Sequence, residues 1–177
     1  MGKRGGVLAL ASVLALGTAA RAQAPAETTE QEPVFRAPFV LKLRHYQEHF
    51  DRVPYVSGNS VHLFAGEDFG ISVTIAGDQV SRITYQREPA KGDVAFKFTE
   101  ERRGSMMILA TRNGLTRILF FDALMTVPEK KGVFRTRVLP IEPKTTNFES
   151  WPHPIVQRVL SNFRFSPTAD AVPTPSR

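Results

Sequence analysis

The chain has no cysteine among its 177 residues. That excludes a disulfide staple, so a domain working outside the cytoplasm would depend on core packing alone. It also excludes a lipid anchor on an N-terminal cysteine. Beyond residue 20 no apolar run approaches membrane-spanning length, so membrane insertion is not expected. No basic block exceeds two residues despite a formal net charge of +6, so nucleic acid is not expected as a partner either. A G-x-S-x-G elbow, a phosphate loop and a base–nucleophile pair are all missing, which leaves no catalytic residue to name and implies no cofactor.

What is present starts with an address. Lys3 and Arg4 precede an apolar run from Val7 to Ala20, and Ala22-Gln23-Ala24 supplies the small-x-small pattern of a signal-peptidase site. Residues 1–24 therefore read as a signal peptide, and the mature protein is expected in the periplasm or outside the cell. Lys3, Arg4 and Arg21 would leave with it, removing half of the net charge of +6. Residues 25–33 are acidic and polar and read as a flexible linker, while residues 166–177 hold three prolines among small residues and read as a disordered tail. The folded domain is expected over residues 34–165, long enough for one hydrophobic core.

Inside that unit the dominant period is two. Phe69, Ile71, Val73 and Ile75 alternate with Gly70, Ser72 and Thr74 before a Gly77-Asp78 turn and a return strand over 80–86. Val94, Phe96 and Phe98 mark another strand, Val53–Val56 and Val61–Ala65 flank a hairpin at Ser57–Ser60, and Val159–Phe165 reads as a closing strand. Val133–Leu139 reads as an edge strand with Arg135 and Arg137 in solvent. Asn113-Gly114 predicts a type I′ hairpin joining 106–112 to 115–121, which would set Leu109 against Ile118 and Met107 against Phe120. Four prolines predict a long loop over 140–154. The pattern is all-β and predicts an antiparallel β-sandwich, immunoglobulin-like in look. One segment is open: Leu43, Tyr46, Phe50 and Val53 have helical spacing over 44–52, while Phe39, Leu41 and Leu43 support a strand into the same region.

Three segments could carry function. His45-Tyr46-Gln47-Glu48-His49 matches H-x-x-E-H, in which two imidazoles on one helix face hold zinc and the glutamate activates water. The motif stands alone, since Glu129, the candidate third ligand, falls in a turn; surface histidines are the preferred reading. Asp122, inside an apolar run and opposite Ser105 in the hairpin register, would be either a buried acid of raised pKa or a structural carboxylate, and the second is preferred. Phe148, Trp151 and His153 lie in the Pro-bounded loop and are the candidate binding residues, although for Trp151 itself the preferred reading is that it folds back to cap the sandwich.

The runs His49–Val56, Val61–Gly66, Phe121–Pro128 and Asn147–Ile155 resemble small uncharacterised exported proteins of Gram-negative bacteria. The resemblance covers most of residues 46–165 and implies an exported address and no activity. By elimination the expected function is a soluble, non-enzymatic binding module of the cell envelope, with an envelope protein as partner. The alternative is a metal-dependent envelope hydrolase using His45, Glu48 and His49. A third reading is an anionic-glycan binder using Arg102, Arg103, Arg135 and Arg137.

Overall fold

The described residues form twelve antiparallel strands, and along several of them, such as Val94–Glu100 and Met107–Asn113, alternation in the sequence becomes alternation in burial. The computed structural model describes residues 32–77, 79–101 and 106–166. In chain order they form β1 (Phe39–Leu43), β2 (Tyr46–Phe50), β3 (Val56–Ser57), β4 (Ser60–Leu63), β5 (Glu67–Ala76) and β6 (Gln79–Gln86). There follow β7 (Val94–Glu100), β8 (Met107–Asn113), β9 (Leu119–Thr126), β10 (Phe134–Thr136), β11 (Thr146–Trp151) and β12 (Gln157–Phe165). The proposed signal peptide, nearly all of the linker and tail, and Asp78, Arg102, Arg103 and Ser105 lie outside the described residues. No helix among the described residues is long and apolar enough to cross a membrane.

β1 and β2 form a two-stranded sheet, and the other strands form one ten-stranded sheet. Its path runs β10-β9-β12-β6-β5-β7-β8-β11, with the β3–β4 hairpin attached to β12. The joint between β12 and β6 is a single pair, Arg164 with Gln79. The two wings bury their apolar faces in a common core: Phe69, Ile71, Phe96, Phe98 and Leu109 from one side, Leu119, Phe121, Leu160 and Phe163 from the other. This arrangement is consistent with the expected sandwich. β12 shows how one residue redirects a strand. Arg158 and Leu160 face inward, a bulge intervenes between Ser161 and Arg164, and Phe163 and Phe165 then face inward on the opposite parity. Asn162, at φ 54, is the residue that absorbs the change.

The β3–β4 hairpin forms at the expected place, with Gly58 at φ 55 opening its two-residue turn. β5, β6 and β7 also match the sequence reading, and β10 is a sheet edge bearing Arg135, with Arg137 just beyond it. Three expectations are corrected. The Asn113-Gly114 hairpin does not form: β8 pairs with β7 and β11, and β9 pairs with β10 and β12. Instead, the buried Asn113 side chain ties the chain where it crosses between wings. Its Nδ2 donates to the carbonyls of Arg117 at 2.8 Å and Ile141 at 2.9 Å, and its Oδ1 accepts from the Leu115 N–H at 3.0 Å.

The second correction concerns residues 44–52, which hold no helix. A turn at Arg44-His45 joins β1 to β2 with Leu43 opposite Tyr46 and Phe39 opposite Phe50. The residues that suggested a helical face are cross-strand partners, and Phe39, Phe50 and Phe64 pack with ring centroids 4.9–5.3 Å apart. The third concerns the expected loop over 140–154. Its prolines bracket a strand without entering it: Pro140 and Pro143 precede β11, and Pro152 and Pro154 follow.

Candidate functional site

Three connections meet at one end of the domain around a cavity of about 690 Å³. The β1–β2 turn contributes Arg44, His45 and Tyr46, the β9–β10 connection contributes Val127 to Lys130, and the β11–β12 connection contributes Pro152, His153 and Pro154. Local packing holds them together. Val156 sits in one apolar cluster with Leu43 and Tyr46, and its N–H donates to the Thr126 carbonyl at 2.9 Å. The β11–β12 connection is thereby fixed both to the β1–β2 hairpin and to the end of β9. Glu129 holds a left-handed φ of 63, and Tyr46 donates its phenolic proton to the Glu48 carboxylate. The lining combines Tyr46, two histidines, Val127 and three prolines with Arg44, Glu129 and Lys130 as the charged groups. Such a mixture of rigid apolar surface and a few polar groups suits binding.

His45 and His153, drawn from two separate candidate motifs, thus line the same cavity, and Glu129 lines it with them. The rest of each motif lies elsewhere. Glu48 and His49 stand on β2 with exposed side chains, and His49 pairs with Asp51 at 2.9 Å. Adjacent strand residues face opposite sides, so Glu48 and His49 lack the shared helical face that H-x-x-E-H requires. Among the described residues no three His, Asp or Glu side chains are grouped to hold a metal ion. Replacing both His45 and His49 with alanine should change unfolding free energy by no more than about 0.5 kcal/mol. Elemental analysis finding one zinc per chain, lost in that variant, would contradict this.

Phe148, Trp151 and His153 do not form the expected aromatic loop. Phe148 projects from the outer face of β11 and is 69 % exposed, Trp151 ends that strand packed on the core, and only His153 reaches the cavity. The Trp151 ring instead covers the Arg158 guanidinium at 4.1 Å. Arg158 is fully buried, donates to the Thr136 hydroxyl at 3.0 Å and lies 3.4 Å from the Glu149 carboxylate. Burial lowers its pKa to about 10 against the opposing pull of Glu149, and burial raises that of Glu149 against the pull of Arg158. Nothing in the sequence distinguished this arginine from a surface one.

Asp122 takes the preferred structural role, although not at its expected position in a hairpin with β8. It faces Ser161 across the β9–β12 pair, and its carboxylate accepts from Asn162 at 3.0 Å, Arg135 at 3.3 Å and Arg164 at 3.4 Å. The Asn162 hydrogen bond, helped by both arginines and opposed by burial, holds its pKa below the ordinary value. It is a structural carboxylate tying β9, β10 and β12.

A second arginine clamp lies under the N-terminal segment. Arg36 is buried, pairs through Nε and Nη2 with both Glu67 oxygens, donates to the carbonyls of Pro54 and His62, and stacks 4.0 Å over Tyr55. Burial and then the Arg36 charge push the His62 imidazole below its ordinary pKa of 6.5, while its Nδ1 lies 3.3 Å from the Gln157 amide. The unfolded chain therefore takes up a proton that the folded chain resists. Stability from this group is complete above pH 6.5 and is lost as the pH falls below it. His62→Asn should flatten the fall in thermal midpoint on acidification below that point; an unchanged slope would contradict the assignment.

Comparison with known proteins adds no relative: no family model, curated protein or solved structure matches the chain.

Proposed function

We propose that the chain is exported and that its domain, a sandwich of immunoglobulin-like kind, serves as a soluble, non-enzymatic binding module of the cell envelope. The basic start at Lys3-Arg4, the apolar run Val7–Ala20 and the Ala22-Gln23-Ala24 site support the address. N-terminal sequencing of the exported form should begin at Pro25, and a sequence beginning at Met1 would contradict export.

The observation carrying the binding reading is the end cavity, to which three separate connections contribute His45, Tyr46 and His153 together with three prolines. Proline fixes φ, so these walls lose little conformational entropy when a partner group enters. A projecting side chain or short segment of an envelope protein matches a site of this size. Affinity capture from the native envelope should recover a partner with the wild-type domain and lose most of it with His153→Trp, which narrows the cavity with a bulkier ring. Leu139→Ser, at an exposed position outside the cavity lining, should retain it. Equal recovery by His153→Trp and wild type would overturn the assignment of the site.

A further inference from the structure

β11 ends the path of the ten-stranded sheet, and β8 is its partner there. One hydrogen bond fixes which of its backbone groups remain outward. The Asn113 N–H donates to the Thr145 carbonyl at 2.8 Å. In an antiparallel ladder such bonded pairs recur at every second residue. Asn147, Glu149 and Trp151 therefore direct their backbone groups to Thr111, Leu109 and Met107 of β8. Thr146, Phe148 and Ser150 turn theirs to the open edge, and all three residues are exposed.

Exposed edges are normally guarded by charge or proline. β10, at the other end of the path, has Arg135. β11 has no such guard: its one charge, Glu149, points inward to Arg158, and Pro152 comes only after the strand ends. At mid-edge stands Phe148, 69 % exposed. β10 and β3, with three and two residues, offer far shorter edges.

We propose that β11 is a homodimerisation edge that pairs antiparallel with β11 of a second copy, about a two-fold axis through Phe148. The strand is complementary to its own inverted copy. Phe148 meets Phe148, Thr146 meets Ser150, and Asn147 meets Glu149, so aromatic meets aromatic, hydroxyl meets hydroxyl, and the carboxylate meets an amide instead of a second carboxylate. Every outward residue falls at a bonded position, giving about six new backbone hydrogen bonds. The neighbouring registers are worse. An axis at Glu149 sets carboxylate against carboxylate and Phe148 against Ser150, and an axis at Asn147 sets Phe148 against Thr146 and Ser150 against Lys144, which has a left-handed φ of 60. The pairing leads directly into the cavity wall, because Pro152 and His153 follow β11.

The absence of cysteine makes the register testable, since Phe148→Cys introduces the chain's sole thiol. On the axis the two Cα atoms would lie about 5.5 Å apart, within disulfide reach. Sedimentation velocity of the full chain over a concentration series should show a dimer, and Phe148→Lys should weaken it by roughly tenfold or more. Phe148→Cys should cross-link under mild oxidation much faster than Val133→Cys, a comparable thiol at a position 60 % exposed. Circular dichroism checks that each variant is folded. A chain monomeric at every concentration overturns the proposal, including one whose β11 edge instead captures a foreign peptide. So does a dimer indifferent to Phe148→Lys, or a Phe148→Cys variant that cross-links no faster than Val133→Cys.

Discussion

Replacing Arg36 with methionine should destabilise the domain by about 3–5 kcal/mol, read as a fall in the urea midpoint with an unchanged m-value. Methionine fills similar volume and keeps contact with Tyr55, so the loss isolates the guanidinium. Its removal leaves the Glu67 carboxylate, whose side chain is 17 % exposed, without its main counter-charge, and leaves the Pro54 and His62 carbonyls without their donor. Glu67 also accepts from the Phe64 N–H at 2.8 Å, so its displacement would disturb the entry to β5. Arg36 further donates its own backbone N–H to the Val53 carbonyl at 3.0 Å, a bond the substitution leaves in place. A loss below about 1 kcal/mol would show that the pair is solvated like a surface salt bridge and does not pin the segment.

Gly114→Ala should cost about 3 kcal/mol, an effect that separates two explanations of the Asn113-Gly114 pair. A β-carbon at Gly114 would lie 2.2 Å from the Asp93 carbonyl oxygen and 2.3 Å from that of Lys91. Both are backbone atoms of a loop that Arg112 also grips, through the Ala90 and Lys91 carbonyls at 3.0 Å. The glycine is needed for close approach of two chain segments, and its φ is not in the left-handed region. Gly58→Ala provides the opposite case, with φ at 55 and no atom within 4 Å of the added carbon, and should cost only about 1 kcal/mol. Thermal or urea unfolding of both variants checks the contrast. Equal small losses would mean that the 91–93 loop yields, and that the contact does not dictate the glycine.

The contrast also shows where the sequence was legible. Strands with one apolar face announced themselves by alternation: Phe69 and Ile71 on β5, then Val94, Phe96 and Phe98 on β7. Even the parity break on β12 is written in the order Leu160, Phe163, Phe165. Pairing between distant strands was not legible, because local turn chemistry at Asn113-Gly114 says nothing of the better partners that β8 finds in β7 and β11. Helical spacing at Leu43, Tyr46 and Phe50 coincided with the spacing of cross-strand contacts over a two-residue turn. Prolines flanking β11 masked a six-residue strand between them.

The site was legible in fragments. His45, Glu129 and His153 were each singled out, yet only tertiary structure puts them on one cavity, because they belong to three connections far apart in the chain. Arg36 and Arg158 gave no signal at all. Arginine is mostly an exposed residue, and what makes these two structural is the placement of Glu67 and Tyr55 around one, and of Glu149 and Trp151 around the other.

The proposed meeting point of this domain and its partner is the end cavity. Amide chemical-shift mapping of the isotope-labelled domain, titrated with the partner captured from the envelope, tests it most directly. The largest shifts should fall on Arg44, His45, Tyr46, Val127, Glu129, Lys130 and His153 together, and His153→Trp should abolish them. Shifts confined to other surfaces, with these seven amides unmoved at saturation, would contradict it.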